Sequence, residues 1–343
     1  MAEEPTAAAA GSRRFLLYVH TGRASALRAL SQVLAALAAR GVRAAVTSQQ
    51  LQEIQAADPS LRDPDLLDQL ADDSVDIVDR LEPGCDEIAI VLGGDGTILR
   101  ALEITRDVAI PVHGVNLGHV GFLAESEVEN LGTTVQRLLA GDYVLEKRST
   151  LTIDVFDAEG KKIAEHWALN EASLEKADRQ KMVYVVVEID SRPVSSFGCD
   201  GMLLSTSTGS TAYAFSAGGP VIWPEVDSFV VLPLAAHALF ARPLVLGRSS
   251  EVAIEITMDN TADAVLTMDG RRSMDLHAGM RIEAVLSPNS VELARLATTP
   301  FADRLVEKFK LPVEGWRGRD VDEKIADRTR RTETGSADPT GAE

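Results

Sequence analysis

The sequence predicts two domains of different class: an α/β layer built on a parallel sheet, followed by an antiparallel β-sandwich. Three observations carry this. Up to about residue 140, short apolar runs alternate with stretches of helical period, as strands joined by crossover helices do. After Gly141, short segments of alternating apolar and polar residues follow one another between turn residues. Within the first half, Ile88-Ala-Ile-Val-Leu92 reads as a strand buried on both faces, and it runs straight into a glycine turn and a helix.

The elements follow in chain order. Residues 1–12 are Ala-rich and unpatterned and read as a loose leader. Phe15 to His20 is the first predicted strand. Ser25 stands where it could cap a helix running to Arg40, with Leu27, Leu30, Val33, Leu34 and Leu37 on one stripe, and Gly41 stops it. Val42 to Thr47 is a second strand. Residues 49–87 are polar and acidic, contain Pro59, Pro64 and Pro83, and read as an insert with one short helix around Leu66–Leu70. The helix after the glycine turn is followed by a strand, Pro111 to Leu117, and by a helix marked by Val128, Leu131, Val135, Leu138 and Leu139. The change of texture sets a boundary near residues 141–147, giving domains of about 13–145 and 146–298. In the second, strands are expected at Ser149–Val155, Lys181–Asp190, Glu251–Thr257, Ala264–Met268, Arg281–Leu286 and Val291–Leu296. Phe301 to Phe309 reads as a helix, and residues 319–343, charged and poor in large apolar side chains, as disordered.

The stretch Gly93-Gly-Asp-Gly-Thr97 organises the rest. A strand, two glycines and a helix start aim free N–H groups and the positive end of a helix dipole at one point, a seat for phosphate. Gly-Asp-Gly can equally be a plain chain reversal, but here strand and helix flank it on the sides a phosphate site needs. It is not a P-loop, because no Gly-Lys-Ser/Thr follows. Nor is it the dinucleotide fingerprint, since Leu99 stands at the place of the third glycine. Asp95 puts a carboxylate inside an anion seat. That is costly unless it does chemistry or helps hold a metal, and Asp95 is read as a base.

Composition excludes several classes. The formal net charge is −18, from 34 basic and 52 acidic residues, and no dense basic stripe interrupts it, which argues against nucleic acid as a partner. No apolar run reaches the roughly 18 residues of a membrane helix, and Phe229 to Leu246 is broken by two prolines, His237 and Arg242. The acidic N-terminus lacks the order of a signal peptide, and two cysteines, Cys85 and Cys199, suit a reducing, cytoplasmic compartment without disulfides. The six histidines show no metal-ligand spacing. Cys199 beside Asp200 reads as a small buried thiol rather than a redox switch.

A second glycine-bearing stretch lies in the β-rich half. Seven of the twelve residues from Ser205 to Ser216 are Ser or Thr. Such stretches are often flexible linkers, but Met202-Leu-Leu204, Tyr213 and Phe215 bracket this one with anchors, so it reads as a ligand loop. Upstream, Asn170 and Glu171 end a short apolar run. In order, Gly93-Gly-Asp-Gly-Thr97, Asn116-Leu-Gly-His-Val-Gly-Phe-Leu123, Leu169-Asn-Glu171 and Asp200 to Pro220 resemble the ATP-NAD kinases, over about residues 15–318. The glycine motif alone is shared with diacylglycerol and sphingosine kinases and more loosely with phosphofructokinases. Combined with Thr208-Gly-Ser-Thr-Ala-Tyr213 it is far narrower. Phe301 to Trp316 is similar to actinobacterial members.

The resemblance implies a Rossmann-like first domain, a β-rich NAD-binding second domain, a cleft site between them and a C-terminal helix (about 299–317) returning to the first domain. It implies that Asp95 accepts the proton and that Gly93, Gly94 and Gly96 lie along the phosphates. Arg100, Asn170, Glu171, Lys181, Asp200, Thr211, Ala212, Tyr213 and Ser216 are implied to contact substrate. ATP, or polyphosphate, and NAD would be the substrates, a divalent ion (magnesium or manganese) would travel with the donor, and the chain would form a homodimer or homotetramer. Three positions depart from the family pattern: Ser207 replaces a usual proline, Leu232 to His237 lacks amide residues that some members carry, and Arg271 stands near a position that is Gln or His elsewhere. The competing readings are a lipid kinase of the diacylglycerol type and a non-catalytic nucleotide sensor. The first should show an apolar slot or a basic membrane face, and the second has no need of Asp95.

Overall fold

The computed structural model describes residues 13–117, 121–127, 130–296 and 300–313. The predicted leader, residues 118–120 of the Asn116–Leu123 motif, Val128 and the chain beyond 313 lie outside them.

The first half is a parallel sheet wrapped by helices. Its strands are β1 (Arg14–Val19), β2 (Arg43–Thr47), β3 (Val75–Val78), β4 (Ile88–Leu92), β5 (Val112–Asn116) and the short β6 (Ser126–Glu127). The helices are α1 (Ala24–Ala38), α2 (Ser48–Ala56), α3 (Leu66–Leu70), α4 (Asp95–Thr105) and α5 (Leu131–Leu139). The β4 run is fully buried, as its unbroken apolar sequence demands. Ile88, Ile90 and Leu92 face the side of α1 and α5, whereas Ala89 and Val91 meet Ile98, Leu99, Ala101 and Leu102 of α4. Two expectations need correction. Ser25 does not cap α1: the N-cap is Arg23, in extended conformation, and no side chain bonds the helix end. The stretch 49–87 is not a plain insert, because it contributes α2 and the parallel edge strand β3. β3 is four residues long and none of them is fully buried, so its period is too faint to read.

The second half contains β7 (Val144–Phe156), β8 (Lys162–Ala168), β9 (Glu171–Lys176), β10 (Val183–Ile189), β11 (Arg192–Cys199) and β12 (Gly201–Thr206). After the short α6 (Tyr213–Ser216) come β13 (Ser228–Leu234), β14 (Leu244–Gly247), β15 (Glu251–Ile256), β16 (Ala264–Met268), β17 (Arg272–Leu276) and β18 (Arg281–Arg295). Two sheets pack face to face, as the alternating segments predict. Leu151, Ile153 and Val155 of β7, Val183, Val185 and Val187 of β10 and Ile282 and Ala284 of β18 share one core with Leu174, Met202, Leu204, Phe229 and Leu266. The six-stranded sheet runs β14-β13-β12-β9-β16-β17. β12 corrects another expectation, since Gly201–Thr206 is a fully buried central strand rather than part of the Ser/Thr loop.

The other sheet crosses the predicted boundary. Its order is β11-β10-β15-β18-β5-β4-β1-β2-β3, with β7 antiparallel to β18 and parallel contact between β18 and β5 at Leu293 and Val112. Residues up to 298 form one unit, and the chain from Thr299 forms a second whose described helix is α7 (Phe301–Phe309), as its spacing predicts.

Candidate active site

In the parallel sheet the chain moves from β1 through β2 to β3 in one direction, and from β4 to β5 in the other. The direction of winding therefore reverses between β1 and β4. Crevices open at the carboxyl ends of strands at such a point, and this one holds a pocket of about 430 Å³. Tyr18, His20 and Arg23 line it from the end of β1, Gly94, Gly96 and Arg100 from the glycine turn and α4, Glu53 from α2, and Asp269 and Arg271 from the β-rich half. No side chain caps α4, so its first N–H groups and positive dipole end are left to the turn.

Asp95 is the first residue of α4 and is partly buried. Its carboxylate accepts N–H bonds from Phe122 (3.0 Å, to Oδ2) and Leu123 (3.1 Å, to Oδ1), with a longer one from Ala124 (3.4 Å). A carboxylate offers about four lone-pair sites, so this anchoring leaves acceptor capacity free. The fit needs glycine at 121, where a Cβ would lie 2.1 Å from Asp95 Oδ1.

The β-rich half supplies a second acidic cluster. Asp269 and Gly270 (φ 52° and 66°) are the left-handed pair of the three-residue turn Asp269–Arg271 between β16 and β17, residue types that tolerate such φ values. Asp269 is buried, and its carboxylate accepts from the amides of Asn170 (2.7 Å) and Leu169 (3.1 Å) and from Arg272 (2.9 Å). Burial raises its pKa against those bonds. Glu171 is also buried, and burial and the Asp269 charge push its carboxyl up to about 7. Its Oε2 has no hydrogen-bond partner among the described residues. The next residue in the turn, Arg271, reaches Glu103 of α4 at 3.1 Å and so ties the hairpin to the helix that starts at Asp95.

The Ser/Thr loop is built differently from the expectation. Ser205, Thr206, Ser207, Thr208 and Ser210 are buried. Their hydroxyls serve the fold: Ser205 bonds the Asn170 carbonyl, Thr206 the Leu169 carbonyl and Ser210 the Ser207 carbonyl. Gly209 is required by contact, since a Cβ there would sit 2.0 Å from the Asn170 carbonyl oxygen. What stays accessible is the end of the loop. Thr211 and Ala212 are half-buried, and Tyr213 and Ser216 are exposed. The Tyr213 hydroxyl donates to Glu175 at 2.6 Å, a bond that with burial pushes the phenol up to about 12.

Thus the predicted residues fall into two groups. Gly94, Gly96 and Arg100 line the pocket, the half-buried Asp95 and the buried Gly93 belong to the same turn without lining it, Asn170 and Glu171 adjoin the pocket through the Asp269 turn, and the Tyr213 amide bonds Glu171. Lys181 and Asp200 stand apart. Lys181 bonds the Thr261 carbonyl, and Asp200 pairs with Lys176 at 2.5 Å. Lys176 and Glu171 are opposite ends of β9, roughly 17 Å apart at strand rise. Sequence reading missed Tyr18, Arg23, Glu53, Asp269 and Glu103. Only Asp269 carried a local signal, the Asp-Gly turn between two strands.

A glycine turn at a topological switch point, with one carboxylate in it and arginines around it, defines a phosphotransferase-type nucleotide site. The sequence profile of the ATP-NAD kinase N-terminal domain matches residues 15–143, and that of the C-terminal domain residues 169–296. The chain is 49% identical over 311 residues to the NAD kinase of Leifsonia xyli, covering 91% of this chain and 99% of that one. It is 48% identical over 310 residues to that of Mycobacterium tuberculosis, covering 90% and 99%. The chain belongs to the ATP-NAD kinase family. Its fold is similar to that of yeast NADH kinase complexed with NADH (TM-score 0.75, 21% identity, 90% of each chain). It is also similar to that of an NAD kinase from Archaeoglobus fulgidus in complex with ATP (TM-score 0.63, 22% identity, 87% of this chain and 99% of that one).

Proposed function

We propose that the chain transfers the terminal phosphoryl group of ATP to the 2′-hydroxyl of the adenosine ribose of NAD, forming NADP, with Asp95 as general base. The observation that carries this is the Asp95 carboxylate, anchored by the amides of Phe122 and Leu123 in the turn that opens on the pocket. A secondary alcohol is a weak nucleophile at neutral pH. A fixed carboxylate that takes its proton as the O–P bond forms is worth about 10²–10⁴-fold. Most of the remaining acceleration is positioning and charge neutralisation. For that the site has the α4 N-terminus and the guanidinium groups of Arg23, Arg100 and Arg271. Asn170, Glu171, Thr211, Ala212, Tyr213 and Ser216 hold the dinucleotide in this reading. The α/β half, residues 13–145, then carries donor and base, and residues 146–298 carry NAD.

Magnesium or manganese arrives with the donor nucleotide as part of the substrate. The pocket fits an ion held mainly by phosphates, because Glu53 and Asp269 line it beside three arginines, and no group of three or more His, Cys, Asp or Glu poised for a metal occurs among the described residues. Polyphosphate, as a bare phosphate chain, would suit the same arginines. Lys181 and Asp200, remote from Glu171 within one chain, are assigned to dinucleotide bound next to a second copy, in keeping with a homodimer or homotetramer. The assignment includes a cytoplasmic location. No helix among the described residues is long and apolar enough to cross a membrane.

The test is purified protein with ATP, Mg²⁺ and NAD, read by an NADP-specific dehydrogenase. NADP should form, and Asp95→Asn should fold and bind NAD but lose at least about 10²-fold in kcat. Phosphorylated lipid without NADP would favour the lipid kinase, and near-normal turnover of Asp95→Asn would sink the base assignment.

A further inference from the structure

Two peptide groups stand between Asp95 and a buried guanidinium. Their N–H ends are those of Leu123 and Ala124, which point at Asp95 Oδ1 (3.1 and 3.4 Å). Their carbonyl ends are those of Phe122 and Leu123, which accept from Arg295 Nη2 (3.4 Å) and Nη1 (2.8 Å). Each dipole thus has a cation at its oxygen and an anion at its hydrogen, the arrangement in which a chain of hydrogen bonds strengthens itself in a low-dielectric interior.

Arg295 ends β18, and its side chain is only 7% exposed. The remaining edge of its guanidinium is also used: Nε donates to Glu146 Oε2 at 2.6 Å, and Glu125 lies 3.8 Å from Nη1. Glu146 in turn pairs through Oε1 with the buried Arg148 at 2.8 Å, whose Nη1 bonds Thr208 Oγ1 at 3.4 Å. The Thr208 carbonyl accepts from the Thr211 hydroxyl at 3.2 Å. A charged ladder on β7 and β18, buried at both arginines and half-buried at Glu146, therefore joins the turn that holds Asp95 to the loop that ends at Thr211. Stability alone does not call for it, because buried ion pairs are often replaceable by apolar residues without loss.

We propose that Arg295 is a positioning residue for the phosphoryl transfer, holding and polarising the Phe122–Ala124 peptides so that their amides fix the Asp95 carboxylate. The proposal rests on the kinase reading above. It requires a planar fork: lysine offers a compact point charge that cannot span two carbonyls and a carboxylate at once.

The decisive variant is Arg295→Lys, which keeps the buried charge, assayed alone and combined with Asp95→Asn. Expected are unchanged KM and NAD affinity within about threefold, and a fall in kcat of about 10²-fold, the scale of an ångström's misplacement of a reacting group. In the Asp95→Asn background the same change should cost nothing further, because the group being positioned is gone. Wild-type kcat in Arg295→Lys, or the same loss in both backgrounds, overturns the proposal. Should Arg295→Lys not fold, Glu146→Gln decides in its place: a loss in kcat with KM unchanged supports the ladder, and wild-type kcat overturns it. Absence of NADP formation by the wild-type chain overturns the kinase reading and this inference with it, whereas turnover with an unaffected Arg295→Lys overturns the inference alone.

Discussion

Asp95 illustrates how a residue can be chemically legible and yet depend on partners far along the chain. Its carboxylate is oriented by amides 27 and 28 residues away, and Gly121 leaves the room for it. Gly121→Ala should therefore lower kcat by about 10²-fold with little change in melting temperature, since the displaced group is a side chain and not the core. Unimpaired turnover would mean that the carboxylate does not need this position. Glu171 gives a pH-dependent prediction. Its folded pKa, about 7, lies above its ordinary 4.5, so the folded state binds the extra proton. Its stability contribution is fully present below about pH 4.5 and is lost as pH rises through 7. Glu171→Gln should match the wild type in urea at pH 4.5 and exceed it at pH 8, by on the order of 3 kcal/mol. An equal effect at both values would show that the buried charge is not the cause.

At the scale of elements, the β4-turn-α4 unit needs only local sequence: an apolar run, glycines and good helix formers in succession. Turns were harder to read. β10 and β11 are joined by Asp190 and Ser191 at φ 51° and 60°, a two-residue hairpin in which neither residue is glycine. Ser191→Gly should relieve left-handed strain and stabilise the protein by about 0.5–1 kcal/mol, seen as a higher urea midpoint at unchanged slope. A lower midpoint would show that the serine side chain compensates for its backbone. The edge strand β3 and the strand β12 escaped sequence reading for opposite reasons. One is too exposed to show a period, and the other is Ser/Thr-ended and buried on both faces, so it never alternates.

For the molecule as a whole, the sheet shared by both halves sets the unit of folding. β5 borders β18 across Leu293 and Val112, and the buried His113 ring bonds the Ala294 carbonyl at 2.8 Å. That histidine is held neutral, with its pKa pushed down to about 4 by burial. A fragment of residues 13–143 would expose the β5 edge and strand His113 without its carbonyl. It should show no cooperative thermal transition by circular dichroism, whereas the full chain should. A soluble fragment with a sharp melt would show the α/β half to be self-sufficient.

The alternation of strands and helices, the sandwich texture, the glycine turn and the hydroxyl-rich loop are all properties of short windows, and the chain alone determined them. So were Asp95 and the Asn170-Glu171 pair as candidates. Strand order decided the rest. Only the fold puts the winding reversal between β1 and β4, and so makes Tyr18 and Arg23 neighbours of the glycine turn. Only the fold brings the Asp269 hairpin against Asn170, and Arg295 behind the turn that holds Asp95. Periodicity reports which face of an element is buried. Which element buries it is settled by long-range pairing, whose partners are separated by up to 181 residues, beyond the reach of any local pattern.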